Sequence, residues 1–327
     1  MKNILVTGGA GYIGSIAVEE LLKVGYQVVV LDNLSEGHRQ AIPENVPFYH
    51  GNVGDKILLQ KIFSEQKIDC VMHFAALALV GESVKYPEKY RENNVLQTLI
   101  LLDTMVENKI LNFIFSSSCA IFGEPSQIPM KEDDPKNPIN PYGTNKLEVE
   151  KNLKELNKKH GLKACALRYF NAAGATEKCG EDRKVETHLI PLVLDTALDK
   201  RKSIHIFGTD YPTPDGTCIR DYIHVLDLIQ AHILAIDYLK NNELGFFNLG
   251  NGQGYSVKEV IETSREITGH AIPAEEKPRR PGDPARLVGS AELAKKKLGW
   301  EPKYPQLDKI IESAWEWRQQ HPKGYSK

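Results

Sequence analysis

The stretch Thr7-Gly-Gly-Ala-Gly-Tyr-Ile-Gly14 decides the fold, because it joins a short apolar run to a helical pattern. Its last six residues match G-x-G-x-x-G, a spacing that brings bare backbone to the point where a diphosphate meets a helix N-terminus. A second apolar run, Val28 to Leu31, ends in Asp32, about 20 residues further on, where a carboxylate accepts the two hydroxyls of a ribose. This carboxylate would repel a 2′-phosphate, and no arginine follows it directly. The pattern therefore predicts a site for NAD rather than NADP, and a glycine turn that binds nothing is the weaker interpretation.

Composition and net charge argue against several classes of protein. The 327 residues carry a formal net charge of −2, without the basic footprint that nucleic-acid binding requires. Five cysteines without a C-x-x-C pair fit reduced thiols, and the histidines form no H-x-x-x-H pair, so we expect no metal site. The sequence shows neither a signal peptide nor an apolar stretch long enough to span a bilayer. We therefore expect a cytoplasmic enzyme with no membrane or nucleic-acid partner.

Apolar runs alternate with helical patterns in the first half of the chain, as a parallel sheet with crossover helices requires. We expect an α/β fold, namely a Rossmann-like doubly wound parallel sheet with a smaller α/β substrate-binding lobe. Ala164 to Arg168 is predicted to be the strand that completes the sheet. Loops rich in glycine and proline follow at Phe207 to Thr217 and at Pro273 to Pro284. We place an NAD-binding domain at residues 1–171 and a second lobe at 172–327, with some segments of the second returning to the first.

Candidate catalytic side chains are Ser118, Tyr142 and Lys146. Tyr142 and Lys146 form a Y-x-x-x-K pair, and the i, i+4 spacing on a helix places phenol and ammonium on one face. Ser118 lies just beyond a predicted strand, Phe113 to Ser116, and ligands of open α/β sheets bind at the carboxyl ends of strands. A tyrosine with a pKa of about 10 needs a positive field to act as a base at neutral pH, and Lys146 with the nicotinamide ring is the expected source. The alternative is a polar strand end that satisfies backbone groups.

Short motifs in both halves of the sequence give the chain a resemblance to a known family. Besides the glycine loop they are Leu31-Asp-Asn-Leu34, His73-Phe-Ala-Ala76, Val80-Gly-Glu-Ser83, Pro141-Tyr-Gly143, Arg168-Tyr-Phe-Asn171, Asp210-Tyr-Pro-Thr213, Asp215-Gly-Thr217, Arg220-Asp-Tyr-Ile-His224 and Arg279-Arg-Pro-Gly-Asp283. On these residues the chain resembles the extended short-chain dehydrogenase/reductase family. Within that family it is similar to the UDP-galactose 4-epimerases over nearly its whole length.

The resemblance implies a site for NAD beside a site for a UDP-sugar, the latter in the lobe at residues 172–327. The implied NAD residues are Gly8, Gly11, Tyr12, Ile13, Gly14, Asp32, Asn33, Leu34, Ser35, Asn52, Val53, Phe74, Ala75, Ala76, Asn93, Tyr142, Lys146 and Phe170. The implied UDP-sugar residues are Ser118, Tyr142, Asn171, His188, Leu189, Phe207, Arg220, Tyr222, Arg280, Asp283 and Leu287. The two arginines, on separate loops, can clamp a diphosphate with charge-assisted hydrogen bonds. Members of the family commonly dimerise through a four-helix seam, so the resemblance also implies a homodimer.

The reaction implied by the resemblance is the interconversion of UDP-galactose and UDP-glucose. Tyr142 takes the proton of the 4-hydroxyl while bound NAD oxidises C4, the 4-keto sugar rotates, and hydride return inverts the carbon. Two alternatives stay open: an epimerase of another UDP-sugar, such as a UDP-N-acetylhexosamine or a UDP-pentose, and a non-catalytic NAD-binding protein. A 4,6-dehydratase would need an acid and a base after the catalytic hydroxyl, where this chain has Cys119 and Ala120.

Several positions depart from the pattern that the resemblance leads us to expect. Asn52 stands where an aspartate usually meets the adenine amine, which weakens the expectation that NAD stays bound. Ile16, Ala78 and Phe122 replace a histidine, a lysine and a tyrosine of other members. Leu287 falls at the position that governs access of N-acetylated sugars, so UDP-N-acetyl sugars stay open as substrates.

Overall fold

The structure is a computed structural model that describes residues 1–280 and 282–325. Pro281, within one of the motifs above, and the last two residues of the expected second lobe lie outside the described residues. Strands and helices alternate along the first half of the chain, as the apolar runs predicted. Ile4, Leu5 and Val6 of the first strand are buried on both faces of a sheet, which explains why the run is continuously apolar.

The strands of the first half are made mostly of buried apolar residues, whereas those of the second half are shorter and more polar. In chain order they are β1 Asn3–Thr7, β2 Gln27–Asp32, β3 Phe48–His50, β4 Cys70–His73, β5 Asn112–Ser118, β6 Lys163–Tyr169, β7 Asn171–Ala173, β8 Ile204–Phe207, β9 Ile219–Arg220, β10 Tyr222–His224, β11 Leu244–Leu249, β12 Tyr255–Ser256, β13 Ala274–Lys277 and β14 Arg286–Leu287.

Side-chain caps mark the first turns of four of the described helices, those that begin at Lys56, Pro141, Val225 and Val257. Asp55 accepts from the Leu58 N–H at 3.0 Å, and Ser256 with Glu259 forms a capping box. The helices are α1 Tyr12–Lys23, α2 Lys56–Glu65, α3 Val80–Lys85, α4 Pro87–Arg91, α5 Gln97–Glu107, α6 Pro141–His160, α7 Leu189–Ala197, α8 Val225–Asn241, α9 Val257–Thr268, α10 Glu292–Leu298 and α11 Leu307–Gln320. Short 3-10 turns lie at Arg39–Ala41 and Cys119–Ile121, and a π-helical turn at Glu92–Leu96 joins α4 to α5.

Seven parallel strands form the central sheet, in the order β11-β6-β5-β4-β1-β2-β3. From β1 the chain moves outward to β2 and β3 and then crosses to β4 on the other side of β1. This reversal opens a crevice at the carboxyl ends of β1 and β4, where α/β proteins bind ligands. Ile4 and Val6 join one apolar core with α1 and α8, while Leu5 joins the other with α2, α5 and α6. The predicted doubly wound fold is confirmed.

The sheet has one more strand than the sequence predicted. Strand β11 pairs with β6 from Leu244↔Ala164 to Leu249↔Tyr169, so the run predicted to complete the sheet is an inner strand. A short apolar run of this kind does not distinguish a strand from a buried helix by its periodicity. Because β11 follows α8, which packs against α1 and β6, the chain returns from its second half to the sheet.

The second half is built from small sheets with the pairings β10-β7, β12-β9-β14 and β13-β8. A third apolar core, which includes Ile190, Val193 and Ile310, lies between α7, α9 and α11. The predicted loop at Pro273 to Pro284 is wrong in part, because β13 within it pairs with β8. Its sequence, Ala-Glu-Glu-Lys, carries no apolar alternation that could have indicated a strand. Among the described helices none is both long and apolar enough to cross a membrane.

Candidate active site

The glycine loop runs from the end of β1 into the first turn of α1. Gly8 has φ 70°, and a Cβ there would lie 2.5 Å from the Ala75 nitrogen. A Cβ on Gly14 would overlap the Gly8 carbonyl. Gly11 is the N-cap of α1, and no described side chain caps this helix, so the first N–H groups, those of Tyr12 and Ile13, can serve a bound anion. The loop therefore fits a dinucleotide diphosphate.

Asp32 ends β2 and holds the loop that follows. Its carboxylate accepts from the Ala10 N–H at 2.9 Å and from the Leu34 N–H at 2.8 Å. Burial raises the pKa of Asp32 above its usual value, and these two donors oppose the increase. A carboxylate oxygen has a second lone pair, so both oxygens can still accept from ribose hydroxyls.

The residues that follow Asp32 form a small hydrogen-bonded loop at one edge of the crevice. Asn33 Nδ2 donates to Asn52 Oδ1 at 2.7 Å, and the Ser35 N–H donates to Asn33 Oδ1 at 3.0 Å. Val53 is buried in the core beneath. Asn52 Oδ1 therefore accepts one hydrogen bond within this loop, while its amide nitrogen donates to no described residue and is available to a ligand.

The opposite edge is formed by Phe74, Ala75 and Ala76 after β4. The N–H groups of Phe74 and Ala75 both donate to the Thr7 carbonyl, at 2.9 and 3.1 Å. These bonds place the segment directly against the glycine loop.

Asn93 lies in the π-helical turn, a distortion that is frequent at functional sites. Sequence reasoning missed its neighbour Asn94. The buried Asn94 side chain accepts from the Leu77 N–H at 2.8 Å and donates to the Leu77 carbonyl at 2.9 Å. Asn94 thereby fixes the segment that follows Ala76.

Ser118, Tyr142 and Lys146 meet where β5 ends and α6 begins. The helix starts at Pro141 because Asn140 Oδ1 accepts from its third residue, Gly143, at 2.9 Å. Lys146 is 3% exposed; its Nζ donates to the Ser116 carbonyl at 2.7 Å and lies 5.7 Å from the centre of the Tyr142 ring. Ser118 Oγ accepts from the Ala120 N–H at 3.1 Å. The three predicted catalytic residues thus share one corner of the crevice.

The electrostatics of this corner differ from the sequence prediction. Burial raises the pKa of Tyr142 to about 12, and contact with Ser118 acts in the opposite direction. Burial lowers the pKa of Lys146 to about 7, against the influence of Glu150. Burial disfavours the charged form of both groups. The polypeptide alone therefore does not produce the predicted depression of the Tyr142 pKa.

A buried ion pair that sequence reasoning missed lies behind these residues. Arg168 donates to Glu150 at 2.9 and 2.7 Å, both side chains are 2% exposed, and Ser117 Oγ donates to the same carboxylate at 2.7 Å. Glu150 follows Tyr142 and Lys146 at the same i, i+4 spacing, which was the available signal. The pair ties β5, β6 and α6 together beneath the catalytic corner.

The end of β6 brings two aromatic residues to the same corner. The Tyr169 hydroxyl, also missed from the sequence, contacts Ser116 Oγ. Phe170 packs against a small cluster of Ile121, Phe122 and Met130, and its ring occupies the space that a side chain on Gly289 would need. These contacts join the sheet to the second lobe.

Asn171 and Arg220 lie together where the second lobe begins. Asn171 Nδ2 donates to the Asp221 carbonyl at 3.0 Å. The Arg220 guanidinium donates to the Ile219 and Pro284 carbonyls, both at 2.9 Å, and to Asp283 Oδ1 at 3.2 Å. Asp283 is therefore tied to Arg220, and a ligand diphosphate would compete with that carboxylate.

The other predicted substrate residues differ in how they are placed relative to Asn171 and Arg220. The Arg280 guanidinium lies 3.8 Å from the centre of the Phe207 ring. Leu287 is paired with Arg220 in the β14–β9 register. Tyr222 pairs with Asn171 along the backbone, but its side chain is buried in the core of the second lobe, where it supports Asn171 from behind.

His188 and Leu189 lie at the start of α7, away from the two arginines. His188 Nδ1 lies 2.9 Å from Glu186 and 3.2 Å from Glu181, and Leu189 packs against the core of the second lobe. Among the described residues, no hydrogen bond joins His188 to Arg220 or Arg280. The cluster of His188 with Glu181 and Glu186 was not apparent from the sequence, because these three residues follow no regular spacing.

A glycine loop, a carboxylate at the end of the second strand and a tyrosine–lysine pair at the carboxyl ends of one parallel sheet are the parts of an NAD-dependent α/β enzyme. The chain matches the NAD dependent epimerase/dehydratase family over residues 4–250. A UDP-glucose 4-epimerase of Halalkalibacterium halodurans is 56% identical over 326 residues, which cover 99% of this chain and 97% of the relative. The chain belongs to the NAD dependent epimerase/dehydratase family.

Solved structures agree with this assignment. A UDP-glucose 4-epimerase from Brucella ovis in complex with NAD superposes with a TM-score of 0.94 at 45% identity, covering 96% of this chain and 98% of that one. A UDP-glucose 4-epimerase from Bifidobacterium longum in complex with NAD⁺ and UDP also gives a TM-score of 0.94, at 40% identity, covering 99% of this chain and 100% of that one. The cofactor of this family is NAD.

Proposed function

We propose that this protein is an NAD-dependent UDP-glucose 4-epimerase, which interconverts UDP-galactose and UDP-glucose. The observation that carries the proposal is the position of Tyr142, Lys146 and Ser118 beside the glycine loop, in a chain 56% identical to a UDP-glucose 4-epimerase over nearly its full length. A non-catalytic NAD-binding protein would have no need of these three side chains.

Tyr142 is the proposed acceptor of the proton on the sugar 4-hydroxyl. Lys146, held by the Ser116 carbonyl at 2.7 Å, favours the ionised phenol when it is charged, and the positive nicotinamide ring would add the field that the polypeptide alone does not supply. Ser118 orients the hydroxyl and relays the proton. NAD, held by the glycine loop and Asp32, supplies a reversible two-electron acceptor for C4.

Arg220 and Arg280 are the proposed clamp on the UDP diphosphate. They come from separate loops, and arginine matches a diphosphate with paired, charge-assisted hydrogen bonds. Asp283 keeps Arg220 in place at 3.2 Å. A substrate held by its diphosphate can present either face of the sugar to Tyr142, which epimerisation requires.

UDP-N-acetylhexosamines are the second candidate substrates. Leu287 is paired with Arg220 and packs in one cluster with Phe122, Cys119 and Phe170. This places a medium-sized aliphatic side chain beside the proposed sugar position, where a tyrosine or tryptophan would leave less space. This argument rests on the size of the Leu287 side chain alone. Turnover of the two sugars in solution decides between them.

We also propose a homodimer located in the cytoplasm. Helices α5 and α6 are adjacent on one side of the sheet, and Ile100 on α5 is still 36% exposed. A second copy of the same surface would cover such a residue and complete a four-helix seam. Light scattering of the purified protein tests this: the mass of one chain would contradict it.

The division into an NAD-binding unit and a UDP-sugar unit is a further proposal. The first would contain residues 1–171 together with α8 and β11, since β11 is part of the same sheet. The second would contain the remaining part of residues 172–327.

Proton NMR of the purified protein with UDP-galactose and no added cofactor tests the function. Growth of UDP-glucose signals to an equilibrium mixture would support both 4-epimerisation and retained NAD. A parallel sample with UDP-N-acetylglucosamine tests the second candidate. Silence with both sugars, even after addition of NAD, would contradict the proposed reaction.

A further inference from the structure

Residues 174–188, which we call the crossing segment, pass over the first strand–helix–strand unit before α7 begins. The segment bonds to elements on the cofactor side of the crevice. These contacts are the Tyr12 hydroxyl to the Gly174 carbonyl at 2.6 Å, His38 Nε2 to the Asp182 carbonyl at 3.0 Å, and Lys184 Nζ to the Ser35 carbonyl. The crossing segment therefore lies against both the glycine loop and the loop that follows Asp32.

Arg183 stands between two of these contacts and is fixed through one nitrogen. Its Nε donates to Glu181 Oε1 at 2.6 Å, and the side chain is 22% exposed. No described residue accepts a hydrogen bond from Nη1 or Nη2. Glu181 is itself held from a second side by His188 Nδ1 at 3.2 Å. The carboxylate thus sets the direction of a guanidinium that keeps two donor groups for a ligand.

The charge of Arg183 acts on tyrosines that belong to three elements around the crevice. Burial raises the pKa of Tyr12, Tyr142 and Tyr169, and the charge of Arg183 acts on all three in the opposite direction. These tyrosines belong to the glycine loop, the start of α6 and the end of β6. The two sequence neighbours of Arg183 contact His38 and Ser35, so Arg183 lies on the cofactor side of the crevice.

The glycine loop itself supplies no cation. The stretch from Thr7 to Ser15 contains neither lysine nor arginine, and Asp32 adds a negative charge. A diphosphate there meets backbone N–H groups and the helix dipole, equivalent to about half a charge. A planar guanidinium with free donors is the side chain best suited to supply the missing charge.

We propose that Arg183 is a ligand of a nucleotide diphosphate bound in this crevice, and that Glu181 is its positioning residue. NAD and the UDP-sugar both carry such a group, and the contacts of the crossing segment with Tyr12 and Ser35 favour the diphosphate of NAD. This inference rests on the proposed function in one respect, namely that NAD is the cofactor. It does not depend on which sugar is the substrate.

A metal site is the competing interpretation of the same cluster. Ligand atoms of Glu181, Glu186 and His188 lie within 4.8 Å of one another. Arg183 already lies 2.6 Å from Glu181, and its charge opposes the approach of a second cation. The geometry therefore points to an oriented arginine rather than to a metal ion.

The test compares Arg183→Gln with Lys178→Gln, which removes an exposed cation from the same segment. The dissociation constant of NAD is measured by calorimetry on protein freed of NAD, without sugar, and the KM for UDP-galactose is measured with saturating NAD. Loss of a charge-assisted contact should weaken NAD binding about 10- to 100-fold, with KM and the control unchanged. A raised KM with unchanged NAD binding would assign Arg183 to the substrate diphosphate, and wild-type values of both would overturn the proposal.

Two further variants separate positioning from folding. Arg183→Lys keeps the positive charge but lacks the planar, paired donors of a guanidinium. Its NAD affinity should therefore lie between those of Arg183→Gln and the wild type. Glu181→Gln should weaken NAD binding in the wild-type background and have no further effect in Arg183→Gln, since neighbouring residues that act together are not additive. Equal losses in both backgrounds would contradict the positioning role. Wild-type epimerisation activity, measured separately, tests the proposed function itself.

Discussion

The cofactor half and the substrate half of the crevice are stabilised in different ways. The first rests on seven paired strands and contains a buried ion pair, Arg168 with Glu150, in which both side chains are 2% exposed. The second rests on sheets of two or three strands, and two charged pairs on its loops reach solvent, with Asp283 35% and Asp210 74% exposed. The difference favours a preformed scaffold at the proposed NAD site and side chains that can rearrange at the proposed sugar-nucleotide site. A substrate that must present two faces benefits from the looser half.

Replacing Tyr142 with phenylalanine should produce the largest effect and should affect chemistry alone. The rate is expected to fall about 10²- to 10⁴-fold because the proton acceptor is lost. Binding of UDP should persist, since the second lobe provides the diphosphate contacts. Turnover is measured with UDP-galactose and binding by calorimetry, with the exposed Tyr86→Phe as control. Near-normal turnover would contradict the assignment of Tyr142.

Removing one partner of a charged pair tests the difference in rigidity directly. Glu150→Gln should cost about 3–5 kcal/mol of unfolding free energy, because Arg168 would keep a buried charge without a partner. Asp210→Asn, at the exposed pair with Arg279, should leave the urea midpoint unchanged. Equal losses in the two variants would remove the distinction between the two halves.

Arg220→Gln should separate substrate binding from cofactor binding. The KM for UDP-galactose should rise about 10- to 100-fold from the loss of charge-assisted hydrogen bonds to the diphosphate. NAD content after gel filtration should match that of the wild type, as it should in the control Arg201→Gln, an exposed arginine of the same lobe. Loss of NAD from Arg220→Gln would show that the two halves are coupled.

The smallest expected effect concerns the charge state of histidines in the two halves. Burial lowers the pKa of His73 on β4 to about 3 and that of His232 on α8 to about 4, so these two buried histidines are neutral at pH 7. Burial alone would also lower the pKa of His188, but the carboxylates of Glu181 and Glu186 raise it to about 9. A folded pKa above the unfolded value of about 6.5 stabilises the protein fully below that pH, and the contribution disappears as pH rises.

The measurement is urea unfolding of wild type and His188→Gln between pH 5.5 and pH 9. The wild type should be more stable by about 1 kcal/mol at the acidic end, a value reduced because the imidazole is partly exposed. The difference should vanish near pH 9, where His188 loses its proton. A constant difference across this range would mean that His188 is neutral in the folded protein.

Local patterns predicted the cofactor half well. The spacing of Gly8 to Gly14 from Asp32, and of Tyr142 from Lys146, is set by strand and helix geometry between neighbours in the chain. The roles of these residues in binding and catalysis stay predictions, although the structure brings them to one crevice.

Most of the missed features depend on contacts between distant parts of the chain. The partner of Arg220 is Asp283, 63 residues away in the sequence. Strand β11 was missed for a related reason, because it pairs with the distant β6, whereas the bond between Arg183 and Glu181 was missed although these residues are only two positions apart. A short apolar run has no decisive periodicity, and no spacing rule links two charges on an irregular loop.

The position of β11 at the end of the sheet has a consequence for biosynthesis. A ribosome must add nearly 250 residues before β6 gains its last neighbour, because β11 spans Leu244–Leu249. Until then the nascent chain presents an unpaired strand edge, which is a template for aggregation. A gene fragment ending at residue 171 would keep that edge permanently. The NAD-binding unit is therefore not an exchangeable module, and recombination between relatives would have to transfer both halves together.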